Sequence, residues 1–288
     1  MPLITLHEPP EPLVAPVLLA AFDGWIDAAG ASTTAANAIA DGSDTLATFA
    51  DDLLFDYRSR RPVLDIVDGV LTELSWPALS IRRARIDRRD VLVFTGPEPD
   101  FRWRELGSDL LEALLRLGVL EWVSIGSIPA AVPHTRPVPI LATASKQGLL
   151  RDDVQQGPEG LLRVPSAALS TLEMAATEEG VPAVGFYAQV PHYVGGPFAA
   201  ASIALLEHVG RHLGVDLPLG DLPSEAMTQR QRLDAAVEAD EDSRAYVARL
   251  ETAVDDQTLP SGDDLASEIE RFLRSQPGDG GRGPIGSG

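Results

Sequence analysis

Short apolar runs alternate along this chain with longer segments whose apolar residues recur at helical spacing. Residues 16–22 form a continuous apolar run that ends at Asp23 and Gly24, which is typical of a buried strand. Residues 29–40 follow with small side chains at helical spacing, so we expect a helix that packs closely on a sheet. Further strands are predicted at 45–50, 62–67, 70–75, 78–86, 90–95, 119–125, 138–143 and 181–189, and further helices at 102–117, 165–179 and 197–213.

The order of these elements indicates the fold class. Strands alternate with helices except at about 62–86, where Asp68-Gly69 between two apolar runs predicts a tight hairpin. The helix at 102–117 carries Leu106, Leu110 and Leu114 on one face, as a helix packed on a core does. We therefore predict an α/β protein with a mixed sheet that is flanked by helices on both faces.

The C-terminal part of the chain differs in composition from the rest. Residues 221–275 contain 14 acidic and 6 basic residues and predict two or three helices, with one apolar stripe at Tyr246, Leu250 and Val254 and another at Leu265, Ile269 and Phe272. We expect an α/β core domain over 1–217, an acidic helical extension over 218–275 and a disordered tail over 276–288.

Composition narrows the classes of function. The formal net charge of −20 disfavours nucleic acid and anionic membrane surfaces as partners. The absence of cysteine excludes disulfides and thiolate metal sites, and neither an export signal nor a membrane span is evident, so we expect a cytoplasmic protein. His208 and His212 share a helical face, but no third ligand accompanies them, and we predict neither a metal site nor a cofactor.

The first loop that could carry chemistry follows the strand at 16–22. It reads Asp23-Gly24-Trp25-Ile26-Asp27-Ala28-Ala29-Gly30, and it lacks the Gly-Lys-Ser/Thr of a phosphate-binding loop. Two interpretations stay open. Either Asp23 and Trp25 line a pocket, with a carboxylate as acceptor or base, or the segment is a structural turn in which Asp27 or Ser32 caps the next helix.

The second loop spans 126–137 and holds His134, Thr135 and Arg136 between prolines. An imidazole beside a guanidinium suits a carboxylate or phosphate ligand, and His134 suits acid–base chemistry. The alternative is that the side chains of His134 and Arg136 bond to backbone carbonyls within the loop or across a subunit boundary.

The third loop, 189–197, places His192 and Tyr193 between a strand and a helix whose free N–H groups could hold an anion. A structural role for His192 is the alternative.

The three loops together carry a resemblance. Gly24-Trp25-Ile26-Asp27-Ala28-Ala29-Gly30, Pro129-Ala130-Ala131-Val132-Pro133-His134-Thr135-Arg136-Pro137 and Gln189-Val190-Pro191-His192-Tyr193 resemble the proteasome assembly chaperone 2 family over about residues 3–215. The resemblance implies a phosphorylase/hydrolase-like α/β fold and a homo-oligomer, with a trimer as one candidate. Some relatives dock on the proteasome through a C-terminal hydrophobic–tyrosine–any tripeptide, whereas this chain ends Gly286-Ser287-Gly288, so we expect no docking through that tail.

Three functions remain open at this point. The first is a non-enzymatic assembly or interaction protein with a proteasome-related or other protein partner. The second is an enzyme or small-molecule binder with a phosphorylase-like scaffold and a His/Arg/Asp pocket, which requires that the loop side chains converge on one cavity. The third is a scaffold whose loops stabilise a trimer.

Overall fold

The computed structural model describes residues 2–258 except 10, 152, 153, 155, 156, 158 and 159. The strands are β1 (Ile4–Leu6), β2 (Val17–Asp23), β3 (Asp44–Phe49), β4 (Val63–Val67), β5 (Val70–Ser75), β6 (Ser80–Ile86), β7 (Arg89–Pro97), β8 (Glu121–Ala130), β9 (Ile140–Ala144) and β10 (Ala183–Pro191). The helices are α1 (Ala31–Ala40), α2 (Asp51–Leu54), α3 (Trp103–Leu117), α4 (Ala168–Glu178), α5 (Ala199–Leu213), α6 (Leu222–Glu238) and α7 (Glu241–Thr258).

The main sheet has eight strands in the order β1-β3-β6-β7-β2-β8-β10-β9. The four strands β7, β2, β8 and β10 are parallel to one another, and the strands on either side of them pair antiparallel. The sheet is therefore mixed, as predicted, with its parallel part confined to the middle. Because β2 and β8 lie in that middle, the loops that leave their carboxyl ends come together at one edge of the sheet.

Helices cover both faces of this sheet, which confirms the predicted fold class. On one face α1 and α5 pack over an apolar cluster that includes Leu19, Val123 and Phe186, and on the other face α3 and α4 pack over Leu18, Phe94 and Trp122. The buried run in β2 is continuous because its side chains are covered on both sides. The alanines of α1 let that helix lie close to α5, where the Ser202 hydroxyl donates to the Ala31 carbonyl over 2.8 Å.

The predicted hairpin forms a sheet of its own. β4 and β5 pair antiparallel with each other and lie outside the order of the main sheet. Asp68 and Gly69 join them with φ values of 51° and 80°, the left-handed pair that a two-residue turn of this kind requires. Every residue of the two strands is exposed to solvent, so the hairpin projects from the body of the molecule.

The described part of the acidic extension consists of α6 and α7. Leu222 at the start of α6 joins the apolar cluster under α5, and Val247 and Leu250 of α7 are buried. The division of the chain into three segments stays a prediction. The second apolar stripe, at Leu265, Ile269 and Phe272, and the tail 276–288 lie outside the described residues. Among the described helices, none is long and apolar enough to span a bilayer.

Candidate functional site

The loop after β8 brings His134 into the interior of the protein. β8 ends at Ala130, and the chain then runs through His134, Thr135 and Arg136 before β9 begins. The imidazole of His134 is 1% exposed, so each of its ring nitrogens needs a partner inside the protein. The Tyr193 hydroxyl lies 2.7 Å from Nδ1 and 2.8 Å from the backbone nitrogen of His134, and Oδ1 of Asp234 lies 3.1 Å from Nε2.

The surroundings of His134 favour its neutral form. Burial lowers the pKa of His134, and the nearby carboxylate of Asp234 offsets only part of that effect, so the imidazole is neutral at neutral pH. Burial also raises the pKa of Tyr193, which keeps its hydroxyl protonated. The hydroxyl accepts from the backbone N–H and donates to Nδ1, while Nε2–H donates to Asp234. Every polar atom of the ring is then satisfied.

The next two loop residues bind α7. The hydroxyl of Thr135 donates to the carboxylate of Glu251. Arg136 makes a two-pronged contact with Asp255, from Nε to Oδ1 at 2.8 Å and from Nη2 to Oδ2 at 2.7 Å, and it also reaches Glu251 at 3.2 Å. The Arg136 guanidinium lowers the pKa of Asp255, so this carboxylate stays ionised well into the acidic range.

The third loop adds a cluster of aromatic rings. Nδ1–H of His192 donates to the Ala130 carbonyl at 3.1 Å, which leaves Nε2 to accept from the Tyr246 hydroxyl at 3.2 Å. The rings of His134, Tyr193, His192 and Tyr246 contact one another edge to face with centroid distances of 5.6–6.3 Å. A cavity of about 490 Å³ opens beside Tyr193 between α6 and α7.

The first loop divides between two other places. Asp27 binds the start of α1, where Oδ1 accepts from the Ser32 amide at 2.8 Å and the Ser32 hydroxyl at 2.6 Å. The hydroxyl of Ser127 on β8 also lies 3.4 Å from Oδ1, so this carboxylate holds helix and sheet together. The geometry matches the structural alternative, in which Asp27 caps the helix.

Asp23 and Trp25 lie apart from the His134 cluster. Asp23 lines a separate cavity of about 410 Å³ together with Asn37 and Arg82, and Trp25 is 68% exposed with its amide donating to Glu98. Within the described part of the chain, no hydrogen bond or ion pair joins either residue to His134. Five of the eight candidate residues, those of the second and third loops, thus lie in one cluster. In the first loop, Asp27 caps a helix, and Asp23 and Trp25 are exposed away from that cluster.

Sequence patterns alone missed the partners of these loops. Asp234 and Arg230 come from α6, and Arg230 also donates to the His134 carbonyl at 3.3 Å, whereas Tyr246, Glu251 and Asp255 come from α7. The surplus of carboxylates in 221–275, with Glu251 and Asp255 four residues apart on one helical face, is the signal that could have identified a partner for a basic loop.

Comparison with known proteins identifies the family. The model of the PAC2 family matches residues 21–237. This chain belongs to the PAC2 family. The matched range contains all three loops and nearly all of α6, and it ends before α7 begins. The resemblance that the loops carry is thereby confirmed, and the contacts of α7 with Thr135 and Arg136 lie beyond what the family model covers.

Solved structures agree with this assignment. A proteasome-assembly chaperone homologue from Mycobacterium tuberculosis is 36% identical, with a TM-score of 0.72 over 80% of this chain and 99% of its own. A protein of unknown function from the same organism is 32% identical, with a TM-score of 0.82 over 94% of this chain and 92% of its own. An archaeal proteasome activator from Pyrococcus furiosus shares the fold, at 16% identity and a TM-score of 0.62 over 82% of this chain and 99% of its own. Among curated proteins, none matches the chain.

Proposed function

We propose that this chain is a non-enzymatic assembly or interaction protein that binds a protein partner, with the proteasome or a related assembly as the partner to test first. One observation carries the proposal. The loop side chains best suited to chemistry are bonded to the chain's own α6 and α7: His134, Thr135 and Arg136. A catalytic side chain must be free to contact a substrate, whereas these three are engaged in contacts within the protein.

The family supports the same function. A relative that shares 36% of its residues is described as a proteasome-assembly chaperone homologue, and it aligns over nearly its whole length. The function of such a protein depends on its surfaces, because assembly requires contact with other chains and no chemical step. The proposal includes that the chain forms a homo-oligomer and that it is cytoplasmic. Cell fractionation tests the location.

Capture from a cell extract tests the proposed function. The tagged full-length chain serves as bait, and an unrelated protein of similar acidity serves as the control, because a net charge of −20 attracts basic proteins without specificity. We expect proteasome subunits, or another defined assembly, to be enriched over the control and to bind the purified chain directly at physiological salt. Recovery of the bait alone contradicts the proposal.

A second candidate function is a small-molecule binder, which the cavity between α6 and α7 favours. Its volume of about 490 Å³ falls in the range of ligand sites, and Tyr193 and Tyr246 give it aromatic walls. A screen of metabolite mixtures by thermal shift tests this function. A binder should raise the melting temperature of the wild type and lose that effect in Tyr246→Ala, whereas no shift with any mixture contradicts this candidate.

A further inference from the structure

A polar groove of about 410 Å³ lies at the carboxyl ends of β2 and β7. These two strands are parallel neighbours, yet the chain leaves β2 for α1 on one face of the sheet and leaves β7 for α3 on the other face. Ligands of open α/β sheets bind at such a point, because the diverging connections leave a crevice between the strand ends. The groove shares no residue with the cavity between α6 and α7.

Strand register places the polar side chains of this groove in one oblique row. Thr95 on β7 lies opposite Ser80 on β6, and Arg82 follows Ser80 by two residues. Asp23 on β2 lies beside Pro97, which follows Thr95 by two residues. Paired residues and residues two apart on a strand share a face of the sheet, so the row crosses three strands with Arg82 at one end and Asp23 at the other.

Arg82 is the cation of the groove, and within the described residues it forms no ion pair. Its Nη2 donates to Oδ1 of Asn37 on α1 over 2.8 Å, which uses one of the five N–H donors of the guanidinium. Its Nε is buried and has no acceptor in the described part of the chain. By contrast, Arg83 and Arg85 on the same strand both bind the carboxylate of Asp90. A buried donor needs an acceptor, so Arg82 is suited to a carboxylate that comes from outside the chain.

The rest of the row carries polar groups without partners. Asp23 is exposed, and neither its carboxylate nor the hydroxyls of Ser80 and Thr95 form a hydrogen bond within the described residues. The groove thus offers a cation at one end, an anion at the other end and two hydroxyls between them. A ligand that matches this order carries an anionic group, a hydrogen-bonding middle and a cationic group. Such a ligand has no net charge, so the net charge of −20 on the chain does not repel it as it repels anions.

Strand geometry sets the length of the ligand. Arg82 lies opposite Val93 and Asp23 lies beside Pro97, so the two charged residues are offset by the distance from residue 93 to residue 97 along β7 and by two strand spacings across it. At about 3.3 Å per residue and about 4.8 Å per strand, their Cα atoms lie roughly 16 Å apart, and the two side chains reduce the gap between the charges to on the order of 10 Å. An extended peptide spans about 3.3–3.6 Å per residue, so about three residues match this gap.

We propose that this groove binds a short peptide of about three residues with free termini, its carboxylate on Arg82 and its ammonium group on Asp23. The hydroxyls of Ser80 and Thr95 bond to the peptide groups between the two ends. The volume of the groove, about 410 Å³, falls in the range of small-molecule sites. This site goes beyond the proposed assembly function and does not depend on it.

Calorimetric titration of the purified full-length chain with three forms of one peptide tests the proposal. The probes are trialanine, trialanine with an acetylated amino terminus and trialanine with an amidated carboxyl terminus. We expect trialanine to bind and each blocked form to bind about tenfold more weakly or worse, because each block leaves one charge of the groove without its partner. No binding of trialanine at millimolar concentration overturns the proposal, and so does equal binding of all three probes.

Matched substitutions locate the peptide in the groove. Arg82→Gln removes the cation at one end, and Arg88→Gln removes the same charge from the exposed turn between β6 and β7. Asp23→Asn removes the anion at the other end, and Asp41→Asn removes the same charge from an exposed position directly after α1. Circular dichroism and thermal melting check that all four variants fold as the wild type does.

Each groove variant should lose discrimination at one end of the peptide only. We expect Arg82→Gln to bind trialanine about tenfold more weakly and to bind the amidated form equally well, since the carboxylate no longer has a partner. Asp23→Asn should likewise no longer distinguish trialanine from its acetylated form, and both control variants should bind as the wild type does.

Two results would overturn the assigned contacts. Equal affinity of Arg82→Gln and Arg88→Gln for trialanine places the peptide outside the groove. Tight binding of the acetylated form by the wild type reduces the groove to an anion site at Arg82 and overturns the role of Asp23. None of these measurements uses a protein partner, so a failed capture experiment and a failed titration are distinguishable.

Discussion

Removing a single hydroxyl group tests how the candidate site is held together. Tyr193→Phe keeps the ring and its edge-to-face contacts but deletes the oxygen that lies 2.8 Å from the His134 amide and 2.7 Å from its Nδ1. Because the His134 side chain is 1% exposed, both groups lose a partner in a place that water reaches poorly.

The cost follows from that geometry. A buried polar group left without a partner costs about 1–3 kcal/mol, and the half-buried position of Tyr193 beside a cavity lets water replace part of one bond. We therefore expect the free energy of unfolding to fall by about 2 kcal/mol, within a range of about 1–3 kcal/mol. Burial is the main cause of the lowered pKa of His134. The Tyr193 hydroxyl, by donating to Nδ1, also favours the neutral ring, so its loss should raise the pKa of His134.

Urea unfolding at neutral pH measures the first effect, and NMR titration of the imidazole measures the second. Tyr57→Phe is the matched control, because the Tyr57 hydroxyl donates to Asp52 over 2.6 Å at an exposed position and its loss should cost no more than about 0.5 kcal/mol. Equal stability of the Tyr193→Phe and Tyr57→Phe variants, together with an unchanged His134 titration, would refute the assigned hydrogen-bond network.

Three further predictions concern other ionisable side chains. Burial lowers the pKa of His134, so the unfolded chain binds a proton that the folded protein does not, and the free energy of unfolding should decrease as the pH falls below about 6.5. His134→Asn should make the free energy of unfolding, measured with urea, less dependent on pH in this range. Burial raises the pKa of Glu173, which accepts from the Ser124 hydroxyl, so the free energy of unfolding should decrease as the pH rises through the pKa of Glu173 in the folded protein. Glu173→Gln should remove that decrease. The same dependence of the free energy of unfolding on pH in both proteins contradicts a raised pKa of Glu173. Asp27→Ala removes the acceptor for Ser32 at the start of α1 and should cost about 1–2 kcal/mol, with faster hydrogen exchange in the first turn of that helix; unchanged exchange there would show that Asp27 is not the cap.

Much of the fold was predictable because it depends on local patterns. The continuous apolar run of β2, the leucine stripe of α3 and the Asp68-Gly69 turn each appear in the structure at or within a few residues of their predicted bounds. Elements as short as β1 and α2 were missed, since three or four residues are too few to show a period.

The candidate site was only half predictable. The three loops were identified because prolines, glycines and polar residues follow predicted strands, and two of those loops do share a cluster. Asp23 and Trp25 do not join it, since the sequence does not encode the distance between two loops that leave different strands. The partners Asp234 and Asp255 lie 100 and 119 residues after the groups they bind, a separation over which no local pattern carries information.

The sequence by itself thus determined the acidic character of the protein, its mixed α/β fold and the three loops that place it in its family, because hydrophobic periodicity and turn chemistry act over a few residues. Only the tertiary structure decided that α6 and α7 bind His134 and Arg136, and that an apolar hairpin remains uncovered. Both outcomes depend on which segments that are distant in sequence contact one another, and those contacts form only when the whole chain folds.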